Sequence, residues 1–321
     1  MRILVVAAFR RLRPTLRPRP AEFKDCGPGW AIFGGCGRFT RNGKGGIRPH
    51  LVDSRWIVRI SGACRDLTIL SVIPAGPVGG QHGCYYMEMD NPGLGTAVAG
   101  QFVMVRPAAF GSDPVWPRPF SICRLTPDRL TLFIQACGRG TDILCRLKPG
   151  DAVTVWGPLG QGFALEPDTP TVMLAGGVGL APFVEYAATH PSPDNLALVF
   201  GHRQPLSCYP FHELSQIVRA EAFEEKTPED LPRFIELLET TVAAYADGLI
   251  LACGPRPFLL TVARLARRFG AKAQVSLENR MACGVGGCLG CVEKNALGQY
   301  VQTCTEGPVF WVEELSLSED A

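Results

Sequence analysis

Four cysteines near the end of the chain are close enough in sequence to share one inorganic centre. Cys283, Cys288, Cys291 and Cys304 follow the pattern C-x4-C-x2-C-x12-C. The opening C-x4-C-x2-C, with a fourth cysteine further along, is the plant-type arrangement of ligands to a [2Fe–2S] cluster. Glycines between these cysteines let the backbone curl round a cluster and point N–H groups at the sulfurs. A turn at Asn295–Gly298 between two short strands would bring the fourth cysteine back to the loop.

A structural zinc site is the alternative interpretation of the same thiolates. Zinc ribbons use paired C-x2-C knuckles, and only one such pair is present, Cys288 with Cys291. The chain has 13 cysteines, an odd number without the even spread of a disulfide framework. This pattern favours a [2Fe–2S] cluster and a reducing compartment, and we expect the protein in the cytoplasm.

Two short motifs could bind a flavin nucleotide. Arg118, Pro119, Phe120 and Ser121 open a β-like run, so the guanidinium can face a phosphate while the strand backbone meets an isoalloxazine edge. Further on, Gly140 and Thr141 precede a predicted helix and could offer N–H groups and a hydroxyl to a pyrophosphate. Two ordinary turns are the alternative interpretation of these motifs.

Two further glycine turns could bind a nicotinamide nucleotide. Each follows an apolar strand and precedes a predicted helix, which is where parallel sheets bind such ligands. The first turn contributes Gly176, Gly177, Gly179 and Pro182, and the second contributes Cys253, Gly254 and Pro255. The five histidines do not cluster with Ser or Asp, and we identify no catalytic acid–base pair or nucleophile. That absence fits a protein whose chemistry belongs to its cofactors.

The elements that position these residues fall into two patterns. Residues 66–166 contain short β-like runs separated by Gly and Pro, which predicts an antiparallel barrel. These runs are Thr68–Ile73, Cys84–Met89, Gln101–Arg106, Phe120–Cys123, Leu130–Ala136 and Ala152–Trp156. Over residues 167–276 strands alternate with helices, which predicts a doubly wound parallel sheet. Its strands are Thr171–Leu174, Leu196–Phe200, Gly248–Ala252 and Lys272–Ser276, and its helices are Phe211–Val218, Leu231–Ala244 and Arg256–Phe269.

The two ends of the chain differ from this core in composition. Residues 277–321 form a small cysteine-rich module with an acidic tail. Residues 1–65 hold 14 Lys and Arg against 3 Asp and Glu, whereas the rest hold 18 against 27. We predict that residues 1–65 are an unstructured basic extension, with an organelle transit peptide as the alternative. Any basic surface that could bind nucleic acid is therefore confined to this segment. No apolar run in the sequence is long enough to span a membrane.

In this order the motifs resemble those of the ferredoxin-reductase superfamily. The segment from Ser276 to Gly286, S-L-E-N-R-M-A-C-G-V-G, resembles the cluster entry of one subfamily, the electron-transfer subunit of NAD-dependent (class 1B) dihydroorotate dehydrogenase. The later segment Gly307–Phe310 is similar to the ending of that subfamily. Related ferredoxin-dependent NADP reductase subunits tend to have Asp as the first ligand, so Cys283 favours the dihydroorotate assignment. The resemblance covers about residues 67–312.

The resemblance implies an FAD-binding β-barrel, an NAD-binding α/β domain and a C-terminal [2Fe–2S] module. It implies that Arg118–Ser121, Phe133, Ile134, Gln135, Gly140 and Thr141 hold FAD, and that the four cysteines hold the cluster. Two features depart from the pattern. Pro117 stands where the family usually has a second arginine, and an acidic segment, Glu224–Asp230, replaces a glycine-rich stretch. Arg203 could reach a 2′-phosphate, but one arginine does not distinguish NADP from NAD.

The resemblance also implies a route for electrons. An FMN-containing catalytic partner would oxidise dihydroorotate in pyrimidine (UMP) biosynthesis, with two copies of each chain in a heterotetramer. Electrons would then pass through the cluster and FAD to NAD⁺, with Cys253 near the nicotinamide as a packing or polar contact. The first alternative is a related NAD(P)H–ferredoxin or sulfide-type oxidoreductase subunit. The second, from another class, is a non-catalytic zinc-binding module.

Overall fold

The computed structural model describes residues 63–77, 83–91 and 93–317. The predicted extension over residues 1–65 lies outside these ranges, except that residues 63–65 already belong to the first strand. Among the described helices, none combines the length and the apolar composition that a membrane-spanning helix needs.

Within the described residues, six antiparallel strands close a barrel in the order β1-β2-β5-β4-β3-β6. They are β1 Ala63–Ala75, β2 Cys84–Asp90, β3 Phe102–Pro107, β4 Arg118–Leu125, β5 Arg129–Gln135 and β6 Ala152–Leu159. Each predicted run in this region is confirmed as a strand. A short helix, α1 Arg139–Leu144, follows β5. Alternating side chains such as Leu67, Ile69, Met87 and Met89 fill the barrel, because successive residues of a strand face opposite sides.

The second region of the described chain is a six-stranded sheet in the order β14-β11-β10-β7-β8-β9. Its strands are β7 Thr171–Gly176, β8 Leu196–His202, β9 Arg219–Glu224, β10 Leu249–Cys253, β11 Lys272–Ser276 and β14 Val309–Trp311. Helices α2 Ala181–Thr189, α3 Phe211–Ser215, α4 Asp230–Ala244 and α5 Arg256–Phe269 connect them. Strands β7 to β11 run parallel, so their carboxyl ends meet at one edge. The predicted parallel sheet is confirmed.

Two details of this sheet differ from the prediction. The helix predicted over Phe211–Val218 ends at Ser215, and β9 begins at Arg219. Strand β14 returns after the cysteine loop and pairs antiparallel with β11.

The cysteine-rich module is a glycine loop followed by a hairpin of β12 Val292–Lys294 and β13 Tyr300–Gln302. The predicted turn between them is confirmed, because the Asn295 side chain accepts N–H groups from Leu297 at 3.0 Å and Gln299 at 2.8 Å. Buried Cys291 and Cys304 pack against Phe102, Met104 and Leu159 of the barrel. The module is therefore held against the barrel by apolar contacts.

Candidate functional site

A cavity of about 690 Å³ lies where the barrel, the parallel sheet and the cysteine module meet. Barrel strands β4 and β5 form one wall, the carboxyl ends of β10 and β11 form another, and the segment Leu277–Ala282 closes the third side. Eight of the nine residues predicted to hold flavin line it, namely Arg118, Pro119, Phe120, Ser121, Phe133, Ile134, Gln135 and Thr141. Apolar walls with a few placed polar groups are typical of cofactor sites.

The ninth predicted flavin residue, Gly140, lies directly beneath the Arg118 guanidinium. A Cβ atom on Gly140 would lie 2.7 Å from Arg118 Nε, so glycine allows this approach without displacing the guanidinium. The Arg118 Nη1 group donates to the Trp116 carbonyl at 2.8 Å, which fixes the guanidinium over the start of α1. The Thr141 hydroxyl accepts the N–H of Cys137 at 2.9 Å and stabilises the same turn. A fixed arginine beside the start of a helix fits a pyrophosphate.

The two predicted nucleotide turns contact each other at the carboxyl edge of the sheet. A Cβ on Gly179 would lie 2.2 Å from the Cys253 carbonyl oxygen, and one on Gly254 would lie 3.0 Å from Gly176 Cα. Glycine at these positions therefore lets two backbones pack together. By contrast, the Cβ direction of Gly177 is open, with a φ of 55°. Of the predicted nucleotide residues, Cys253 lines the cavity, whereas Pro182 and Pro255 lie at the starts of α2 and α5.

Cys253 is buried and keeps its proton. Removal from water raises the pKa of its thiol, and nearby Glu278 raises it further, whereas a hydrogen bond with Ser276 lowers it. A neutral thiol is a poor nucleophile, in agreement with the predicted packing role.

Sequence reasoning missed the polar residues of the third cavity wall. Glu278, Asn279 and Arg280 line the cavity between β11 and the cysteine loop. Although the Glu278 side chain reaches the cavity surface, the surrounding protein removes enough water to raise the pKa of its carboxyl group. The only sequence signal was their position in the stretch that resembles the cluster entry.

Backbone N–H groups in the cysteine loop point at three of the four sulfurs. The N–H of Val285 lies 3.5 Å from Cys283 Sγ, that of Gly286 lies 3.3 Å from Cys304 Sγ, and that of Gly290 lies 3.4 Å from Cys288 Sγ. Gly284 and Gly286 have φ of 72° and 77°, which produce the curl predicted from their type. Such donors stabilise negative charge on sulfur.

The cysteines of the loop differ in their readiness to ionise. Cys288 is exposed, and the N–H of Gly290 lowers the pKa of its thiol. Burial raises the pKa of Cys304 to about 12. Cluster binding must therefore supply enough energy to deprotonate a buried thiol.

The chemistry of the donor set fits an iron–sulfur cluster. Cys283, Cys288, Cys291 and Cys304 supply four thiols, which is the number of thiolates that a [2Fe–2S] cluster takes. Three of their sulfurs already receive backbone N–H groups, the contacts that stabilise cluster thiolates.

The cysteine loop is continuous with the cavity wall. Met281 and Ala282 line the cavity, and Cys283 follows them directly. The indole N–H of Trp156 on β6 donates to the Cys283 carbonyl at 3.1 Å. The Asn279 amide donates to the Thr303 hydroxyl at 2.9 Å, beside the fourth cysteine. These bonds hold the sulfurs next to the predicted flavin residues.

Comparison with known proteins agrees with this geometry. Residues 278–316 match the family model for the iron–sulfur cluster binding domain of dihydroorotate dehydrogenase B. The chain is 33% identical over 267 residues to the dihydroorotate dehydrogenase B (NAD(+)) electron transfer subunit of Desulforamulus reducens, covering 76% of this chain and 95% of that protein. The protein of the same name from Caldanaerobacter subterraneus is 32% identical over 205 residues, covering 62% of this chain and 80% of the relative.

Solved structures show the same fold at lower sequence identity. The chain matches an NADH-dependent reduced ferredoxin–NADP oxidoreductase with a TM-score of 0.66 and 22% identity, covering 78% of this chain and 90% of that one. It also matches the ferredoxin–NADP⁺ reductase of Plasmodium falciparum with a TM-score of 0.54 and 14% identity, covering 66% and 95%. The predicted barrel and α/β architecture is therefore confirmed by structure.

Proposed function

The chain belongs to the family of dihydroorotate dehydrogenase B electron transfer subunits, and we propose that it passes electrons from dihydroorotate oxidation to NAD⁺. It is an oxidoreductase subunit that works with a catalytic dihydroorotate dehydrogenase chain. FAD, a [2Fe–2S] cluster and NAD are its redox groups. When bound, the cluster carries single electrons, and the flavin links them to the two-electron chemistry of nicotinamide.

In this proposal, several segments of the chain hold the flavin. The Arg118 guanidinium and the backbone at Gly140 and Thr141 bind its pyrophosphate, and β4 and β5 hold its ring system. The support is the cavity that these residues line and the close approach of Arg118 to Gly140. The nicotinamide nucleotide lies on the other wall, against the turns that contain Gly176 and Cys253.

The four cysteines bind the cluster, and the loop N–H groups stabilise its sulfurs. Hydrogen bonds to sulfur and solvent exposure both set the potential of such a centre. Cys288 lies at the exposed side of the loop, and Cys304 lies at the buried side. Electrons therefore enter from the surface and leave towards the cavity, through the residues that join Cys283 to the cavity wall.

The catalytic partner docks on the exposed side of the cysteine loop. Val285, Leu289 and Val292 are 39%, 61% and 37% exposed there, and apolar side chains grouped on one loop are typical of a protein contact surface. We propose that the partner carries FMN, that two copies of each chain form a heterotetramer, and that the complex works in the cytoplasm. The domain limits at residues 66, 167 and 277 stay predictions.

One observation carries the proposal: a single cavity adjoins the predicted flavin residues, the carboxyl ends of β10 and β11, and the segment leading to Cys283. The test is to mix the purified protein with a catalytic dihydroorotate dehydrogenase chain and NAD⁺. We expect NADH to form only when dihydroorotate and both chains are present. Absence of NADH from a protein that contains flavin and iron would contradict the pathway and favour another reductase partner.

A further inference from the structure

An arginine and a glutamate are paired at the carboxyl end of β8. Both Nε and Nη2 of Arg203 contact Oε1 of Glu225. The Glu225 backbone N–H also donates to the carbonyl of His202, the residue before Arg203, at 2.8 Å, so the main chain positions Glu225 beside the arginine. Glu225 is the more embedded partner, with 16% of its side chain exposed against 79% for Arg203.

The pair lies beside the first glycine turn. In the register of β7 and β8, Gly176 is opposite Gly201, so Arg203 leaves the sheet next to that turn. In doubly wound sheets the ribose of a dinucleotide lies near this strand end, some 20 residues after the glycine turn. An acidic residue there binds the ribose hydroxyls of NAD, whereas an arginine accommodates the 2′-phosphate of NADP. This chain has both residue types, Arg203 and Glu225. Their contact with each other therefore decides which of them is available to the ribose.

We propose that Glu225 selects NAD(H) over NADP(H) by holding the Arg203 guanidinium and presenting a carboxylate to the ribose. The inference rests on the proposed function, which supplies a nicotinamide nucleotide at this edge. It also bears on the choice between NADP and NAD that Arg203 left open in the sequence. The arginine that could bind a 2′-phosphate is already paired with Glu225.

The charges around the pair support this assignment. Glu224 and Lys226, the residues on either side of Glu225, form their own ion pair at 2.9 Å. With Arg203 neutralised by Glu225, these four side chains carry no net charge. A 2′-phosphate brings more than one negative charge, and it would meet a carboxylate instead of a free guanidinium. The uncharged hydroxyls of an NAD ribose can instead donate hydrogen bonds to Glu225.

The test replaces the carboxylate by its neutral isostere, Glu225→Gln, in protein that contains flavin and cluster. With ferricyanide as electron acceptor, kcat/KM is measured for NADPH and for NADH. Removing one repulsive charge and releasing the guanidinium should raise the NADPH-to-NADH ratio about tenfold. Glu221→Gln, an exposed glutamate on β9, the strand that ends directly before Glu225, is the matched control and should leave the ratio unchanged.

A double variant identifies the group that binds the phosphate. Adding Arg203→Gln to Glu225→Gln should remove the gain, because the guanidinium is then absent. Calorimetric binding of adenosine 2′,5′-bisphosphate and of AMP gives a second readout that needs no electron transfer. Glu225→Gln should tighten only the bisphosphate, and this gain should decline with added salt.

The possible results distinguish a failure of the role given to Glu225 from a failure of the proposed function. Suppose that NADH reduces the parent protein while Glu225→Gln and Glu225→Ala change neither the NADPH-to-NADH ratio of kcat/KM nor the bisphosphate-to-AMP ratio of binding. The assignment of Glu225 is then wrong. If NADH does not reduce the parent protein, the proposed function fails, and the binding ratio of the two adenine nucleotides still decides whether Glu225 excludes a phosphate.

Discussion

Arg256 and Glu293 join the nucleotide region to the cysteine module. The Arg256 Nη1 atom lies 2.8 Å from Glu293 Oε2, and Nη2 lies 3.4 Å from Oε1. Arg256 is the first residue of α5, directly after Cys253-Gly254-Pro255, and Glu293 follows Cys291 by two residues on β12. Only 8% of the Glu293 side chain is exposed, so this carboxylate depends on its arginine.

Replacing Arg256 by alanine should loosen the cysteine module. The variant leaves a buried carboxylate unpaired, which we expect to cost about 2 kcal/mol in the free energy of unfolding after allowance for partial exposure of the arginine. Urea unfolding measures this change, and the rate of iron release to a chelator should rise.

The matched control is Arg268→Ala in the same helix. Arg268 pairs with Glu239 at 2.8 Å, but both side chains are exposed, so we expect a loss below about 1 kcal/mol. Equal losses in the two variants would contradict the role given to Arg256.

Gly140→Ala should weaken flavin binding. The added Cβ would lie 2.7 Å from Arg118 Nε and push the guanidinium away from the start of α1. Loss of one charged hydrogen-bonded contact should raise the Kd for FAD about tenfold or more. Retained flavin per protein chain and fluorescence titration of the apoprotein measure the effect.

Gly138→Ala provides the control two residues earlier. Its Cβ would contact nothing within 4 Å, and its φ of 168° is extended backbone that alanine adopts. Normal FAD affinity is expected for this variant. A similar loss in both variants would indicate general damage to the turn and not displacement of Arg118.

Glu185 should make stability depend on pH. It lies on α2, where its carboxylate accepts the N–H of Leu125 on β4 at 3.2 Å. Burial raises its pKa above the ordinary 4.5, although this N–H and Arg124 act in the opposite direction. The folded protein therefore keeps this proton where the unfolded chain releases it, and the contribution to stability is lost as the pH rises from 4.5 through the folded pKa.

The variant Glu185→Gln tests this linkage, because an amide can still accept the Leu125 N–H but does not titrate. The free energy of unfolding should fall less steeply with pH above 4.5 in the variant than in the parent. If urea titrations give parent and variant the same slope of unfolding free energy against pH in this range, Glu185 is not the source of the pH dependence.

Most elements of the fold could be predicted because local patterns agree with the tertiary arrangement. Strand β9 was missed because its sequence, R-A-E-A-F-E, lacks β-branched residues and forms an edge strand. Strand β14 was missed because three residues carry little pattern, and its pairing with β11 depends on the long return of the chain through the cysteine loop. Neither feature is visible in local sequence.

The residues of the site likewise divide into those with a local sequence signal and those that depend on distant partners. Cysteine spacing and glycine turns are local signals, and they led directly to Cys283 and Gly140. Arg256, Trp156 and Glu225 act through partners 22 or more residues away, so no local pattern could identify them. The sequence identified Arg203 without the glutamate that pairs with it.

The central claim is that the four cysteines bind a [2Fe–2S] cluster beside a bound flavin. It is tested most directly by making Cys288→Ser anaerobically with ample iron, alongside Cys64→Ser, an exposed cysteine outside the loop. We predict that Cys288→Ser changes or loses the visible and EPR signals of the reduced cluster, while Cys64→Ser keeps them. Parent-like visible and EPR spectra from Cys288→Ser would contradict the account.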